Sequence, residues 1–176
     1  MSQQHIDLWQ QTAEAFGQRL EAMGADQMAA DSPCDGWCVE EVVNHALGTQ
    51  VGLVGPLVGA EVPEGADWPT AMAAISQAMQ AEGALEGMAN GPFGEMPKTV
   101  SLGIGIADLL VHTWDVSRAA GLDETLPAAA VSASWAGMQR MPEEALRSEG
   151  MFGPAIEAPE GADEQTMLLS FTGRQV

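Results

Sequence analysis

The stretch from Ser101 to Arg118 most constrains what this chain can fold into. It is rich in apolar residues, and as a single helix it places Asp108 and His112 four residues apart, one turn along the same face. Asp115 follows about one turn further on, close to that face. A carboxylate and an imidazole among apolar neighbours need partners, because an unpaired buried charge is very costly. The stretch therefore predicts a helix whose polar groups satisfy each other or share a cation.

Four further segments carry apolar residues at the three- and four-residue spacing of amphipathic helices. We predict helices over residues 3–24, over 39–53 with an irregular, glycine-rich later part, from about 67 to Met88, and from Pro127 onward. No segment alternates apolar and polar residues between hairpin turns, so we expect little sheet. These patterns predict an all-α fold.

The length of the chain sets the domain organisation that we expect. With 176 residues it can bury a good core as a single domain, 1–176. We predict a four-helix bundle with an additional helix over residues 1–149. Residues 150–176 are rich in proline and glycine at first and then carry a short helical pattern from 163 to 171. They should form an irregular C-terminal tail that packs on the bundle.

The charge of the chain argues against several classes of partner. The formal net charge is −19, and Lys98 is the single lysine beside 25 acidic residues. No basic stripe could neutralise phosphates, so we expect no nucleic acid partner, and anionic membrane surfaces are disfavoured for the same reason. No apolar run could span a bilayer, no export signal opens the chain, and two cysteines are too few for a disulfide scaffold. We therefore expect a cytoplasmic protein.

A third polar residue makes a metal site worth considering. His45 lies on another predicted helix and is flanked by apolar residues. Together with Asp108 and His112 it would supply two ligands one turn apart and a third from a facing helix, which suits Zn²⁺, Ni²⁺ or Fe²⁺. Three protein ligands leave positions open for water or substrate. In the alternative interpretation, His45 is a hydrogen-bonded core residue and Asp108 and His112 form a helix-stabilising pair.

Two arginines are the cations most easily placed near such a site. Arg118 ends the central helix and Arg174 lies in the tail, in a chain with six basic residues in all. Either could bind a carboxylate or another anionic substrate. Alternatively, each pairs with one of the abundant acidic residues.

The cysteines and tryptophans near the second helix admit simpler interpretations. Cys34 and Cys38 could form a Cys-x3-Cys metal or redox pair, but we expect structural or incidental thiols, with Cys38 at or near a helix N-terminus. We expect Trp37 and Trp114 to be core residues rather than platforms for a substrate.

Two motifs resemble those of a known family. The stretch from Pro33 to His45 resembles the P-x-x-G-W-x-x-x-x-x-x-x-H opening of the mycothiol-dependent maleylpyruvate isomerase N-terminal-like family. The stretch from Asp108 to Asp115 resembles that family's D/E-x-x-x-H-x-W-D helix. Residues 152–174 resemble the ending of a single-domain, mostly uncharacterised branch of the family.

The resemblance implies a DinB/YfiT-like four-helix bundle that holds a divalent metal on three side chains. Carried over by position, the ligands are His45, Asp108 and His112, although the isomerase has glutamate where this chain has Asp108. Asp115 would orient a ligand from behind. The resemblance also implies a low-molecular-weight thiol as cofactor or co-substrate, whose pKa the metal lowers, with Arg174 or Arg118 balancing the charge of the substrate.

Three functional hypotheses follow from these residues and motifs. The first is a metal-dependent enzyme for thiol transfer or thiol-dependent isomerisation of a small organic substrate. The second is a metal-dependent hydrolase, in which metal-bound water replaces the thiol as nucleophile. The third is a non-catalytic bundle that binds a small ligand or a protein. The chain could also pair as a homodimer, since such bundles often associate through helices.

Overall fold

The fold is mainly helical, as predicted, and includes a small two-stranded sheet. The structure is a computed structural model that describes residues 2–147 and 152–176. The helices are α1 (Ser2–Ala22), α2 (Val39–Thr49), α3 (Gly55–Val58), α4 (Trp68–Met79), α5 (Lys98–Ala120), α6 (Ala128–Met138), α7 (Glu143–Arg147) and α8 (Glu164–Phe171). A 3-10 turn at Gln27–Ala29 precedes α2, and a π-helical turn at Gln50–Val54 follows it. Strands β1 (Met88–Gly91) and β2 (Gly94–Pro97) pair antiparallel.

Helix α5 occupies the centre of the molecule. Helices α1, α2 and α6 all pack against it, and nearly every residue from Gly105 to Ser117 is buried. A helix that is apolar around most of its circumference needs such neighbours on several sides. It ends at Gly121, whose φ of +65° is the left-handed conformation that glycine adopts without strain. The arrangement is consistent with the predicted bundle, with α1, α2, α4 and α5 as its main helices and α6 added.

The π-helical turn joins α2 to α5 through a buried amide. The Gln50 side chain donates to the Gly105 carbonyl at 3.2 Å and accepts from the Trp9 indole N–H at 2.8 Å. Gly105 approaches the turn closely, because a Cβ there would stand 2.7 Å from the Val54 Cγ2 atom. The irregularity expected late in the second helix is therefore the place where it docks on α5.

Two glycines of α5 give a matched test of this close contact. Gly105→Ala should lower the free energy of unfolding by about 1–3 kcal/mol, because the new methyl group clashes with the buried Val54. Gly103→Ala should raise it by about 0.5–1 kcal/mol, because a Cβ at Gly103 meets nothing within 4 Å and alanine is the better helix former. Urea unfolding monitored by circular dichroism measures both changes. Equal shifts in the two variants would contradict the docking contact.

Several predicted boundaries differ from the structure. The third predicted helix was expected to reach Met88, but α4 ends at Met79, and the chain turns through Gly83 and Gly87, both with positive φ. Met88 then starts β1, and the chain from there to Pro97 forms the hairpin, which was not predicted. Helix α7 was not predicted. The short helix predicted in the tail is confirmed as α8, whereas the boundary proposed between 149 and 150 lies outside the described residues.

None of the helices in residues 2–147 and 152–176 combines the length and apolar character that crossing a membrane requires.

Candidate metal centre and the cavity around it

The loop before α2 brings the side chains of Cys34 and Trp37 close to His112 on α5. The backbone N–H of Trp37 donates to the carbonyl of Cys34 at 3.0 Å, which closes a turn. Cys38 is the N-cap of α2, as predicted, and its N–H donates to the Glu41 carboxylate at 2.8 Å. This fixed start determines which face of α2 carries His45.

Three potential metal ligands converge between α2 and α5. Asp108 and His112 lie one turn apart on α5, and His45 faces them from α2. The Asp108 Oδ1 atom is 3.5 Å from the Nε2 atom of His45 and 3.5 Å from the Nε2 atom of His112. The three ligand atoms lie within 4.8 Å of one another. Two ligands that bind one ion tetrahedrally at about 2.1 Å stand about 3.4 Å apart, so the spacing suits a zinc-sized ion.

One oxygen of the Asp108 carboxylate has no partner in the part of the protein that the structure describes. Its Oδ2 atom is buried and forms no hydrogen bond with any described residue. Burial, the largest influence, raises the pKa of this carboxyl, but the charge of His112 and hydrogen bonds from His112 and His45 outweigh it and hold the pKa well below its usual range. Because an ionised, unpaired and buried oxygen is costly, a cation between the three side chains would stabilise this arrangement.

Asp115 holds the other ring nitrogen of His112. The His112 Nδ1 atom lies 2.9 Å from the Asp115 Oδ2 atom, and Asp115 is fully buried. Burial, the largest influence, lowers the pKa of His112, but the charge of Asp108 and hydrogen bonds with Asp108, Asp115 and Cys34 outweigh it and raise the pKa well above its ordinary value. A carboxylate in this position fixes the ring and makes the other nitrogen the better metal ligand. The arrangement therefore directs Nε2 of His112 toward Asp108 and His45.

Arg174 pairs with Asp115 from the tail. Its Nε and Nη2 atoms donate to the two Asp115 oxygens at 3.1 and 2.8 Å, and Nη1 donates to the Thr172 carbonyl at 2.8 Å. Such bidentate pairing is the strongest form of an arginine–carboxylate contact. Burial lowers the pKa of the guanidinium, but the contacts with Asp115 outweigh it and raise that pKa above its ordinary value. Arg174 thus lines the cavity with most of its donors already used.

A second group of potential ligands shares His112. The ligand atoms of Cys34, His112 and Asp115 lie within 4.8 Å of one another, and the Cys34 Sγ atom is 3.2 Å from Asp115 Oδ2. Here Arg174 already supplies the positive charge, with Nη2 only 3.3 Å from the sulfur. A metal ion would be repelled by that guanidinium and would compete for its carboxylate. The group around Asp108, which contains no such cation, is the better site.

The candidate centre opens into a cavity of ≈ 1080 Å³ between α2, α5, the hairpin and the tail. Its polar end is formed by Cys34, His45, Asp108, His112 and Arg174. The structure thus brings together the three predicted ligands, Asp115 behind them and one of the two predicted arginines. It does not bring Arg118 to the cavity. That residue pairs with Glu124 at 2.9 Å and lies 4.7 Å above the Trp114 ring.

One other residue near the site, Trp37, differs from expectation. Trp37 was expected in the core, but 36% of it is exposed, it lines the cavity, and its ring lies 5.1 Å from that of His45. Trp114 is a core residue, as predicted. Cys34 was expected to be structural or incidental, and its contacts with Asp115 and Arg174 are consistent with a structural thiol, although those partners were not predicted. Its position in a short turn after a proline offers no periodicity that could have indicated these contacts.

Comparison with known proteins supports the family resemblance. Residues 9–93 match a family model described as the mycothiol maleylpyruvate isomerase N-terminal domain. The resemblance predicted from the sequence is thus confirmed. His45 lies inside the matched segment, whereas Asp108, His112 and Arg174 lie beyond it.

Two relatives extend over nearly the whole chain. Both are uncharacterized proteins of Mycobacterium tuberculosis, one from strain CDC 1551 and one from strain H37Rv. Each is 27% identical over 174 residues, which cover 95% of this chain and 96% of the relative. No solved structure matches the chain significantly.

Proposed function

We propose that this protein holds one divalent metal ion through His45, Asp108 and His112, and that it acts on a small organic substrate together with a low-molecular-weight thiol. The observation that carries the proposal is the buried Oδ2 atom of Asp108, which has no hydrogen-bond partner among the described residues and lies beside two imidazoles. Two nitrogens and one carboxylate suit Zn²⁺, Ni²⁺ or Fe²⁺. The matched family model supports the thiol, since its description names mycothiol.

The side chains around the ligands have distinct proposed roles. A divalent ion bound at this position would lower the pKa of a thiol that reaches it. Asp115 holds His112 in one orientation, and Arg174 keeps Asp115 ionised and in place. Trp37 covers His45 and His112 from the solvent side, with its ring centroid 5.1 and 6.4 Å from theirs. The cavity volume of ≈ 1080 Å³ leaves room for a thiol and a small substrate together.

The first test is the metal content of tag-free protein. We expect about one equivalent of metal in the wild type by elemental analysis, and loss of most of it in His45→Ala and Asp108→Asn, because each removes a ligand. His5→Ala is the matched control, since His5 lies on α1 outside the cavity lining. This variant should bind as much metal as the wild type. No metal in the wild type after incubation with Zn²⁺, Ni²⁺ or Fe²⁺ would contradict the proposal and favour a non-catalytic binding bundle.

Thiol binding separates the proposed function from a metal-dependent hydrolase. Calorimetric titration of the metal-loaded protein with a low-molecular-weight thiol should show binding that releases a proton, because the thiol loses its proton at the site. Titrations in two buffers with different ionisation enthalpies count that proton. If the metal-loaded protein binds no thiol, that result would favour a metal-dependent hydrolase. A homodimer and a cytoplasmic location stay predictions.

A further inference from the structure

The cavity has a second end that the proposed metal ligands do not use. Helices α2 and α5 run in opposite directions along it: His45 faces Asp108, whereas Gln50, later in the chain, donates to the carbonyl of Gly105, which precedes Asp108. The cavity therefore continues from the ligands past the π-helical turn toward the hairpin. Its lining there includes four apolar residues, which we call the apolar arm: Leu53, Pro92, Phe93 and Ile104.

The wall of the cavity that leads from His45 to the apolar arm carries few side chains. Leu53 follows His45 by eight residues, which corresponds to about two helical turns. Between them the wall is formed in part by Gly48 and Gly52, and a Cβ at either position would meet nothing within 4 Å. A small acid at the metal ligands would leave this space unfilled.

The charges of the lining disfavour a ligand with several negative charges. Among the described residues that line the cavity, the charged side chains besides the two imidazoles are Asp35, Asp108 and Arg174. Arg174 is matched by two hydrogen bonds to Asp115. Asp108 offsets part of the charge of a bound divalent ion. A second carboxylate of a substrate would find no unmatched cation here.

We propose that the substrate of this protein carries an uncharged apolar part that lies along the apolar arm while its polar end reaches His45, Asp108 and His112, so that small dicarboxylates are poor ligands. The metal-binding end of this inference rests on the proposed function, whereas the apolar arm does not. Phe93, at the turn of the hairpin, is then a specificity-determining residue, because its ring is part of the lining of the arm.

The test uses straight-chain alkyl hydroxamates of two to eight carbons as probes, with succinate as the dicarboxylate. Calorimetry with zinc-loaded protein should show affinity that rises about threefold per added methylene, because each buries apolar area in a partly open arm. Gly52→Leu, which fills the arm, should remove this chain-length dependence without changing the metal content. Gly137→Leu is the control, since Gly137 lies on α6 outside the cavity and also has open space around it.

A neutral dye separates this inference from the metal site. N-phenyl-1-naphthylamine should bind the metal-free protein with enhanced fluorescence, and Gly52→Leu and Phe93→Ala should each weaken that binding at least fivefold, with Gly137→Leu unchanged. If the wild type holds no metal but the dye binds in this way, the result supports the apolar arm and contradicts the proposed metal function. Hydroxamate affinity that does not depend on chain length, succinate binding as tight as the longest hydroxamate, or equal dye binding in all variants would overturn the inference.

Discussion

Asp115→Ala should lower the free energy of unfolding by about 3–5 kcal/mol, because it leaves the buried guanidinium of Arg174 without its carboxylate. The change also removes the contacts of Asp115 with His112 and with the Cys34 thiol. Urea unfolding followed by circular dichroism measures the loss. Asp123→Ala is the control, because that carboxylate is 76% exposed beside Arg19 and its removal should change stability far less.

The variant Asp115→Asn removes the negative charge of residue 115 but keeps nearly the same side-chain shape. It keeps an oxygen that can accept from Arg174, so it should lose less stability than the alanine variant. It should nevertheless weaken metal binding about 10- to 100-fold, because His112 loses the carboxylate that orients it. A loss below about 1 kcal/mol in Asp115→Ala would mean that Arg174 finds another partner or reaches solvent, and that Asp115 does not organise the site.

Gln50→Ala should cost about 3 kcal/mol, because it opens space in the core and leaves the indole N–H of Trp9 without an acceptor. Trp9 and Gln50 are both almost fully buried, and the Trp9 Nε1 atom lies 2.8 Å from the Gln50 Oε1 atom. A buried donor without a partner costs about 1–3 kcal/mol, and the lost packing adds to this. The same urea experiment measures the effect.

A double-mutant cycle isolates the hydrogen bond. Trp9→Phe removes the indole N–H, Gln50→Leu removes its acceptor, and the double variant Trp9→Phe with Gln50→Leu removes both polar groups. The double variant should lose less stability than the sum of the single changes, by about 1 kcal/mol or more, because neither partner is then left unpaired. Strict additivity would show that the two side chains do not act together.

The parts of the site that the sequence reveals are those that lie close together along one helix. Asp108 and His112 are related by one helical turn, so spacing alone predicts that they meet. His45 required either a facing helix or the family resemblance, and in the structure its Nε2 atom lies 3.5 Å from the Asp108 Oδ1 atom. The contact of Arg174 with Asp115 was open to several alternatives, because an arginine in an acidic chain has many candidate partners.

Other parts of the fold escaped prediction for reasons that are physical. Apolar and polar residues do not alternate in the short strands β1 and β2. The turn residues around Pro92 and Phe93 were therefore the dominant signal, and the strands were not predicted. Cys34 meets Arg174 across 140 residues of chain, and no local pattern encodes such a meeting. The end of α4 at Met79 was missed because apolar residues continue at helical spacing beyond it, although Gly83 adopts a positive φ.

The contacts that build the centre span long stretches of chain. His45 and Asp108 are separated by 63 residues, and Asp115 and Arg174 by 59. Helical turns need only near neighbours, whereas closing such large loops carries a large entropic cost that is recovered only when the surrounding elements are in place. A molecule with formed helices and incomplete topology would therefore lack the ligand set. Metal uptake would then report completed folding, rather than secondary structure alone.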